Sequence, residues 1–176
     1  AKIYKEVLTK LVEEIDKVKL MPNPLAETIR LRQATGNPSI LTTQDVKSCK
    51  FERCIEIVEE CIQQGKSCVI FSNWEKVIEP LAKLLSKNVK CNLVTGETAD
   101  KFNEIEEFMN YKKASVILGT IGSLGTGFTL TKADTVIFLD SPWTRAEKDQ
   151  AEDRCHRIGA KRSVTIYTPV AQGTVD

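Results

Sequence analysis

Short apolar runs alternate with amphipathic segments from residue 48 to the end of the chain. A run such as Cys68–Phe71 is apolar at every position, which is typical of a strand buried on both faces of a sheet. Strands that alternate with helices pair in parallel, because each helix carries the chain back across the sheet. The pattern therefore predicts a three-layer α/β domain with a parallel sheet of about five strands. The predicted strands are 68–71, 91–94, 115–118, 135–139 and 163–167, and the predicted helices are 49–64, 75–87, 99–111 and 145–157.

A helical N-terminal segment is predicted to precede this domain. Residues 1–20 carry apolar side chains at helical spacing, and a second helix is predicted over about Leu25–Ala34. The sequence Thr35-Gly36-Asn37-Pro38 is expected to break this helix, and the polar stretch at 36–47 lacks periodicity, as linkers do. We therefore divide the chain into a helical linker at 1–47 and a second domain at 48–176.

The composition excludes several classes of protein. A net charge of +1 favours no charged partner over the chain as a whole. No apolar run approaches the length of a membrane span and no signal peptide is recognisable, so we expect a cytoplasmic protein without a membrane partner. The chain starts without Met and stops just after a strand-like run, so we expect that it is an excerpt of a longer protein.

The six cysteines are expected to be reduced and to fill the core rather than bind metal. They contain no C-x-x-C pair, and the chain has one histidine, so no structural metal is expected. Cys54 and Cys61 lie seven residues apart beside Val58, which indicates the buried face of a helix.

Four loops directly follow predicted strands. In parallel α/β sheets ligands bind outside the carboxyl ends of the strands, so a site is expected there. The longest stretch, Gly119–Leu130, contains four glycines and four hydroxyl side chains, which let backbone amides approach an anion closely. The alternative is a flexible connection. The four loops are Ser72–Trp74, Thr95–Glu97, Gly119–Thr131 and Asp140–Trp143.

A helix over Gln150–Gly159 would place Gln150, Arg154 and Arg157 on one face, because four and three residues separate them. Two guanidinium groups that keep their charge and donate paired hydrogen bonds suit a phosphate group. The alternative is an ordinary solvated helix face with acidic neighbours. The buried side of this helix is predicted to consist of Ala151, Cys155 and Ile158.

The tripeptide Gly65-Lys66-Ser67 imitates the end of a phosphate-binding P-loop, but it does not complete one. The full motif needs a glycine at position 60, where this chain has Glu60, and it needs a strand before the loop and a helix after it. Here a helix precedes and a strand follows. No acidic metal-binding motif follows an apolar strand either, so the chain is not a complete nucleotide hydrolase.

Taken together, the strand-end segments and the last helix resemble motifs of one family. The chain is similar to the second RecA-like lobe of Swi/Snf-type DNA translocases, within the helicase-like superfamily two, and the resemblance covers almost all of it. The matching motifs are Ser67–Trp74, Asn92–Glu97, Thr120–Asp140 and Gln150–Gly159. The matching flanks are Leu31–Gln33, Ser48–Lys50 and Gly173–Asp176.

Three positions depart from the family's pattern. Leu124 stands where the family usually has glycine, Thr129 where it has asparagine, and Ala160 where glutamine follows the last motif. We expect a bacterial or phage branch of the family.

The resemblance implies that Arg154 and Arg157 are arginine fingers, which stabilise charge on the phosphate that is transferred from ATP. Gln150 would help to order the same cleft. ATP and its Mg²⁺ would be held mainly by the N-terminal RecA-like lobe of the same protein, which would be a partner of this chain. The residues implied to connect the nucleotide cleft to the DNA surface are Gly125, Thr126 and Gly127.

The resemblance also implies that double-stranded DNA binds at the strand-end loops. An exposed Trp143 can stack on a sugar or base; the alternative is that it holds its loop against helix 145–157. Trp74 is expected to pack at the start of its helix. The residues expected to bind nucleic acid are Ser72, Asn73, Thr95, Gly96, Ser123, Thr129 and Trp143.

Two functions are compatible with these observations. The first is the C-terminal motor lobe of an ATP-dependent DNA translocase or remodeller, inactive as an ATPase without a first lobe. The alternative is a stand-alone domain with the same fold that binds nucleic acid or another partner and catalyses nothing. A P-loop and an acidic Mg²⁺ motif upstream in the full reading frame would favour the first.

Overall fold

The computed structural model describes residues 24–40, 48–124, 127–155 and 163–176, together with Lys5, Glu6 and Thr9. Its strands are β1 (Ser67–Ser72), β2 (Cys91–Val94), β3 (Val116–Thr120), β4 (Ala133–Phe138) and β5 (Thr165–Tyr167). Its helices are α1 (Pro24–Gly36), α2 (Cys49–Gln63), α3 (Glu75–Leu85), α4 (Lys101–Asn110), α5 (Ile121–Leu124) and α6 (Arg145–Asp153), with a 3₁₀ turn at Pro38–Ile40.

The described strands form one parallel sheet in the order β2-β3-β1-β4-β5. The central strand β1 pairs with β3 and β4, so that Ile70 lies between Leu118 and Ile137. All six residues of β1 are buried, as the continuous apolar run predicts. The predicted fold class, a three-layer α/β domain with a five-stranded parallel sheet after a helical segment, is confirmed.

The two faces of the sheet bury separate apolar cores. Successive side chains of a strand point to opposite faces. Cys68 and Ile70 join the core beneath α2 and α3, whereas Val69 and Phe71 join the core beneath α4, α5 and α6. In the second core the Phe71 ring stacks on Phe138, with 5.4 Å between ring centroids.

The ends of α2 are where the sequence predicts them. The Ser48 hydroxyl accepts a hydrogen bond from the Phe51 amide at 3.3 Å, which satisfies a backbone donor of the first turn. Gly65, just after the helix, has a φ of +72°, a conformation that favours glycine. On the buried face of α2, Cys54, Val58 and Cys61 are buried as expected. All six cysteine thiols are free, and burial raises the pKa of Cys54 to about 12.

Other helices differ slightly from the predicted bounds. The helix predicted over about Leu25–Ala34 is α1, which continues two residues further and ends at Gly36, inside the predicted helix-breaking sequence; the Asn37 amide still donates to the Gln33 carbonyl at 2.9 Å. Pro38 ends the helix because it has no amide hydrogen and disfavours helical backbone in the residue before it. The helix predicted over 145–157 is α6, whose described helical part ends at Asp153. Of the helix predicted over residues 1–20, only Lys5, Glu6 and Thr9 lie among the described residues.

The buried side chain of Lys50 connects Asp176, near the end of the described chain, to the sheet domain, and Asp176 in turn contacts α1. Lys50 of α2 is only 2% exposed, and its ammonium pairs with Asp176 at 2.5 Å and donates to the Leu139 carbonyl at 3.2 Å. The Asp176 carboxylate also accepts from the Thr35 hydroxyl of α1 at 3.1 Å. Helix α1 therefore packs on the sheet domain, and the division into 1–47 and 48–176 stays a prediction. In the described part of the chain, no helix combines the length and the apolarity that a membrane span requires.

Gly119 provides a test of this packing. A Cβ atom at Gly119 would lie 2.5 Å from the Val94 carbonyl oxygen and 2.9 Å from the Leu124 Cβ. We therefore expect Gly119→Ala to lower the free energy of unfolding by about 3 kcal/mol, measured by urea denaturation. The control is Gly122→Ala in α5, where a Cβ would meet no atom within 4 Å. Equal unfolding midpoints for the two variants would contradict this account.

Candidate functional site

The carboxyl ends of all five described strands lie along one edge of the sheet, because the strands are parallel. The loops after β1, β2, β3 and β4 start at this edge. Every residue that the sequence predicts to bind nucleic acid lies at the end of one of these strands or in the segment that follows it. The parallel topology therefore brings together side chains that are more than seventy residues apart in the sequence, such as Ser72 and Trp143.

Asp140, two residues beyond β4, is the centre of a buried hydrogen-bond network. Its carboxylate accepts from the Ser72 hydroxyl at 2.6 Å, from the Asn73 backbone amide at 2.8 Å and from the Asn73 side chain. Burial raises the pKa of Asp140, and these donors, together with the nearby Lys50 ammonium, act in the opposite direction. The network ties the loop after β1 to the loop after β4.

Sequence reasoning named the loop that contains Asp140 but missed its role. The sequence does contain a pattern that could have indicated this role. Asp140 directly follows one apolar strand, and Ser72 and Asn73 directly follow another. Since neighbouring parallel strands end side by side, a carboxylate there faces the donors of the next strand.

The two predicted residues after β1 have different positions. Ser72 is fully buried, and its hydroxyl is held by Asp140. Asn73 is half-buried, and its side-chain amide donates to the Ser141 carbonyl at 3.0 Å. In this structure Asn73 reaches the surface, whereas Ser72 supports the loop from beneath.

The Thr95–Gly96 turn after β2 shows the same division. Thr95 is buried, its backbone amide donates to the Thr98 hydroxyl at 2.9 Å, and its own hydroxyl accepts from the Glu97 amide at 3.3 Å. Gly96 is exposed, and its amide donates to the carboxylate of Glu75 at the start of α3. A Cβ at position 96 would lie 2.7 Å from that carboxylate oxygen, so the Glu75 side chain would have to shift to accommodate any other residue.

The glycine-rich stretch is only partly described, because Gly125 and Thr126 lie outside the described residues. Before the gap, the Ser123 amide at α5 donates to the Thr120 hydroxyl at 3.3 Å. After the gap, Gly127 is exposed and has a φ of +82°, which favours glycine. Thr129 is also exposed.

Helix α6 begins with a complete capping box. The Thr144 hydroxyl accepts from the Glu147 amide at 3.2 Å, and the Glu147 carboxylate accepts from the Thr144 amide at 3.3 Å. The same carboxylate accepts from the Trp143 amide at 3.1 Å. The cap therefore fixes the backbone of Trp143 relative to the helix.

The other end of α6 carries the predicted phosphate-binding face. Gln150 is exposed, and Arg154 is the partly buried residue that caps the helix. The Arg154 carbonyl accepts from the Leu130 amide at 2.7 Å, which joins α6 to the end of the glycine-rich stretch. The predicted burial of Ala151 and Cys155 is confirmed. The predictions for Arg157 and Ile158 lie outside the described residues.

Trp143 is 43% exposed and contacts a residue that sequence reasoning did not connect to it. The guanidinium carbon of Arg32, from α1, lies 4.1 Å from the Trp143 ring centroid and 5.7 Å from that of Trp74. Arg32 also donates to the Ser141 carbonyl. The sequence alone does not show this contact, because 111 residues separate Arg32 from Trp143.

An open cleft of about 420 Å³ lies beside Trp143, between the end of β5 and α6. Arg145 and Lys148 line it and lie 3.8 Å from Asp149 and Glu152, respectively. The Arg145–Asp149 pair is exposed and contributes at most about 1 kcal/mol, so Arg145 can exchange partners, whereas Lys148 and Glu152 are partly buried. Among the described residues, no three His, Cys, Asp or Glu side chains come together as a metal site would need.

The domain family described as the helicase conserved C-terminal domain matches residues 49–159. A Mycoplasma pneumoniae protein described as an uncharacterized ATP-dependent helicase is 30% identical over 180 residues, which is 99% of this chain and 18% of that protein. The protein CHROMATIN REMODELING 24 of Arabidopsis thaliana is 33% identical over 138 residues, which is 77% of this chain and 13% of that protein. The chain thus spans less than a fifth of either relative.

Two solved structures of the Sulfolobus solfataricus SWI2/SNF2 ATPase core show the same fold. The core domain is 27% identical with a TM-score of 0.79, over 97% of this chain and 36% of that one. The core in complex with dsDNA is 28% identical with a TM-score of 0.77, over 96% and 37%. Because the relatives come from a bacterium, an archaeon and a plant, a bacterial or phage branch stays a prediction. The chain belongs to the helicase conserved C-terminal domain family and has the RecA-like C-terminal lobe of SWI2/SNF2 ATPases.

Proposed function

We propose that this chain is the C-terminal motor lobe of an ATP-dependent translocase or remodeller of double-stranded DNA, acting in the cytoplasm with an N-terminal RecA-like lobe of the same protein. The observation that carries the proposal is the bond between the Arg154 carbonyl and the Leu130 amide. It joins the helix of the proposed arginine fingers to the loop that starts at the proposed DNA surface. The dsDNA complex of the Sulfolobus ATPase core supports the choice of partner.

The described residues fit one side of a nucleotide site. Arg154 and Gln150 supply hydrogen-bond donors at the carboxyl end of α6, which suit phosphate oxygens. The described residues include neither a P-loop nor a group of metal-binding side chains, so Mg²⁺ and most of the ATP would be held by the first lobe. When bound, MgATP supplies the phosphoryl group that is transferred to water.

The two arginines act as fingers in this proposal. A guanidinium group that approaches the transferred phosphoryl group stabilises the charge that develops there. Arg157, three residues further along the sequence, would share this task. Gly125, Thr126 and Gly127 would respond to the nucleotide, because the stretch that contains them ends at the Leu130–Arg154 bond.

On the DNA side, the exposed groups of the strand-end loops contact the sugar-phosphate backbone. Amides and hydroxyls of this kind position a protein on DNA without reading its sequence. The Trp143 indole packs on a sugar or base. Buried Ser72 and Thr95 hold their loops in place. The residues that reach the surface are Asn73, Gly96, Ser123, Thr129 and Trp143.

The chain alone is expected to bind duplex DNA weakly, with a Kd on the order of 10⁻⁴ to 10⁻⁶ M at physiological salt, because phosphate contacts dominate. Fluorescence anisotropy of labelled duplexes of different sequence, titrated at several salt concentrations, measures this. The affinity should fall steeply with salt and vary little with sequence. Affinity that ignores salt, or a strong sequence preference, would contradict the proposal.

The chain alone is expected to release no phosphate from ATP, with or without duplex DNA, because the described residues supply only one side of the nucleotide site. A phosphate-release assay with the purified chain tests this. Turnover that DNA stimulates and that survives Arg154→Ala would show that the nucleotide site is elsewhere.

In the protein that contains both lobes, Arg154→Ala is expected to lower kcat about 10³-fold and leave nucleotide affinity nearly unchanged, because a finger acts in the transition state. Arg154→Lys should not restore activity, since an ammonium lacks the planar fork. Arg157→Ala should have the same effect. Steady-state kinetics with a thermal melt of each variant measures this.

The matched control is Arg145→Ala on the same helix, whose side chain is 92% exposed. It removes the same charge from α6 and should leave kcat unchanged. Wild-type turnover in Arg154→Ala would exclude the finger role, and activity lost only together with the fold would assign the residue to stability. A two-lobed protein that shows no DNA-stimulated ATP hydrolysis at all would instead favour the stand-alone binding domain.

A further inference from the structure

Arg32 lies between the two tryptophans of this chain and contacts both strand-end loops that meet at Asp140. Its guanidinium carbon is 4.1 Å from the Trp143 ring centroid, on the loop after β4, and 5.7 Å from the Trp74 ring centroid, on the loop after β1. It also donates to the Ser141 carbonyl. Three contacts from one side chain thus join α1 to both loops.

These contacts restrict the Trp143 ring more than its own backbone does. The hydrogen bond from the Trp143 amide to Glu147 fixes the main chain but leaves the side-chain torsions open. A cation against the ring face attracts the electron-rich π system, most strongly where water is excluded, and Arg32 is only 9% exposed. The indole therefore has a preferred pose, and 43% of the residue is open to solvent.

Arg32 is poorly placed to bind a phosphate itself. The residue is only 9% exposed, its guanidinium lies near both indole rings, and it donates to a backbone carbonyl. A direct phosphate contact would require these contacts to open. The geometry therefore favours an action through Trp143.

We propose that Arg32 is a positioning residue for DNA binding: from α1, it holds the Trp143 indole in the pose that meets the duplex. This inference rests on the proposed function, in which Trp143 packs on a sugar or base. It adds that the helical segment before residue 48 controls a DNA contact of the lobe, because α1 carries Arg32. A movement of α1 would change the pose of Trp143 without altering any residue of its loop.

Tryptophan fluorescence tests the structural half of the proposal, because the chain has two tryptophans. In a Trp74→Phe background Trp143 is the sole emitter, and phenylalanine retains an aromatic face for Arg32. Adding Arg32→Gln should raise the acrylamide quenching constant about twofold, because the covered ring face becomes accessible. The control is Arg30→Gln, which removes an exposed charge from the same helix and should change nothing. Equal quenching in both variants would overturn the proposal.

Salt-dependent binding of a labelled random-sequence duplex tests the functional half. Arg32→Gln should weaken binding about threefold to tenfold, as expected for the loss of a cation–π contact. The slope of log K against log salt should not change, whereas loss of a phosphate contact would reduce it by about 0.9. Unchanged affinity, or a reduced slope, would overturn the positioning role.

Arg32→Lys keeps the positive charge but lacks the planar guanidinium group, which packs on aromatic rings and donates paired hydrogen bonds. This variant should therefore resemble Arg32→Gln in both measurements. If Arg32→Gln lowers the melting temperature, Arg32→Lys replaces it as the test variant. A quenching constant and a DNA affinity equal to those of the chain with Arg32 would contradict the proposal. If the unmodified chain fails to bind the duplex, the proposed function is wrong. The quenching experiment then still decides whether Arg32 holds Trp143.

Discussion

Two buried charges at the carboxyl end of β4 hold the loops of the site together. The Lys50 ammonium is paired with Asp176 and donates to the Leu139 carbonyl. Asp140, which follows Leu139, accepts hydrogen bonds from Ser72 and Asn73. A buried charge without partners costs several kcal/mol, whereas paired and hydrogen-bonded charges are tolerated and demand one geometry. The end of β4 is thereby fixed from both sides. The surface positions of Asn73 and Trp143 depend on it.

The same contacts join segments that are far apart in sequence. Asp176 accepts from Thr35 of α1 while it pairs with Lys50 of α2, and Ser48 donates to the Gly36 carbonyl at 2.7 Å. The described part of the helical segment is therefore attached to the lobe by polar contacts, and removal of the Asp176 carboxylate would break its contacts to both Thr35 and Lys50. Attachment of this kind lets α1 follow the lobe and lets its Arg32 act on the strand-end loops.

The sequence was sufficient to predict the helices and strands, but it was insufficient to predict which charged side chains contact one another. Apolar runs of four or five residues that alternate with amphipathic helices favour a parallel sheet covered on both faces, so the strands and the fold class follow from the pattern. Lys50 shows the limit: it lies four and seven residues before Cys54 and Ile57, which places it on the buried face of α2, but lysine alone suggests an exposed position. Its partner Asp176 is 126 residues away, and no local pattern identifies it.

Two positions that depart from the family's pattern, Leu124 and Thr129, have different environments in the structure. Leu124 is buried and packs 2.9 Å from where a Cβ of Gly119 would be, so that departure concerns the core, whereas Thr129 is exposed and concerns the surface. Neither alters the link between the loop and α6, because the Leu130–Arg154 bond joins backbone atoms. A backbone hydrogen bond persists whatever side chains surround it, provided that both segments keep their path. In the proposed function, coupling between the nucleotide cleft and the DNA surface would therefore be retained while the side chains at that surface change.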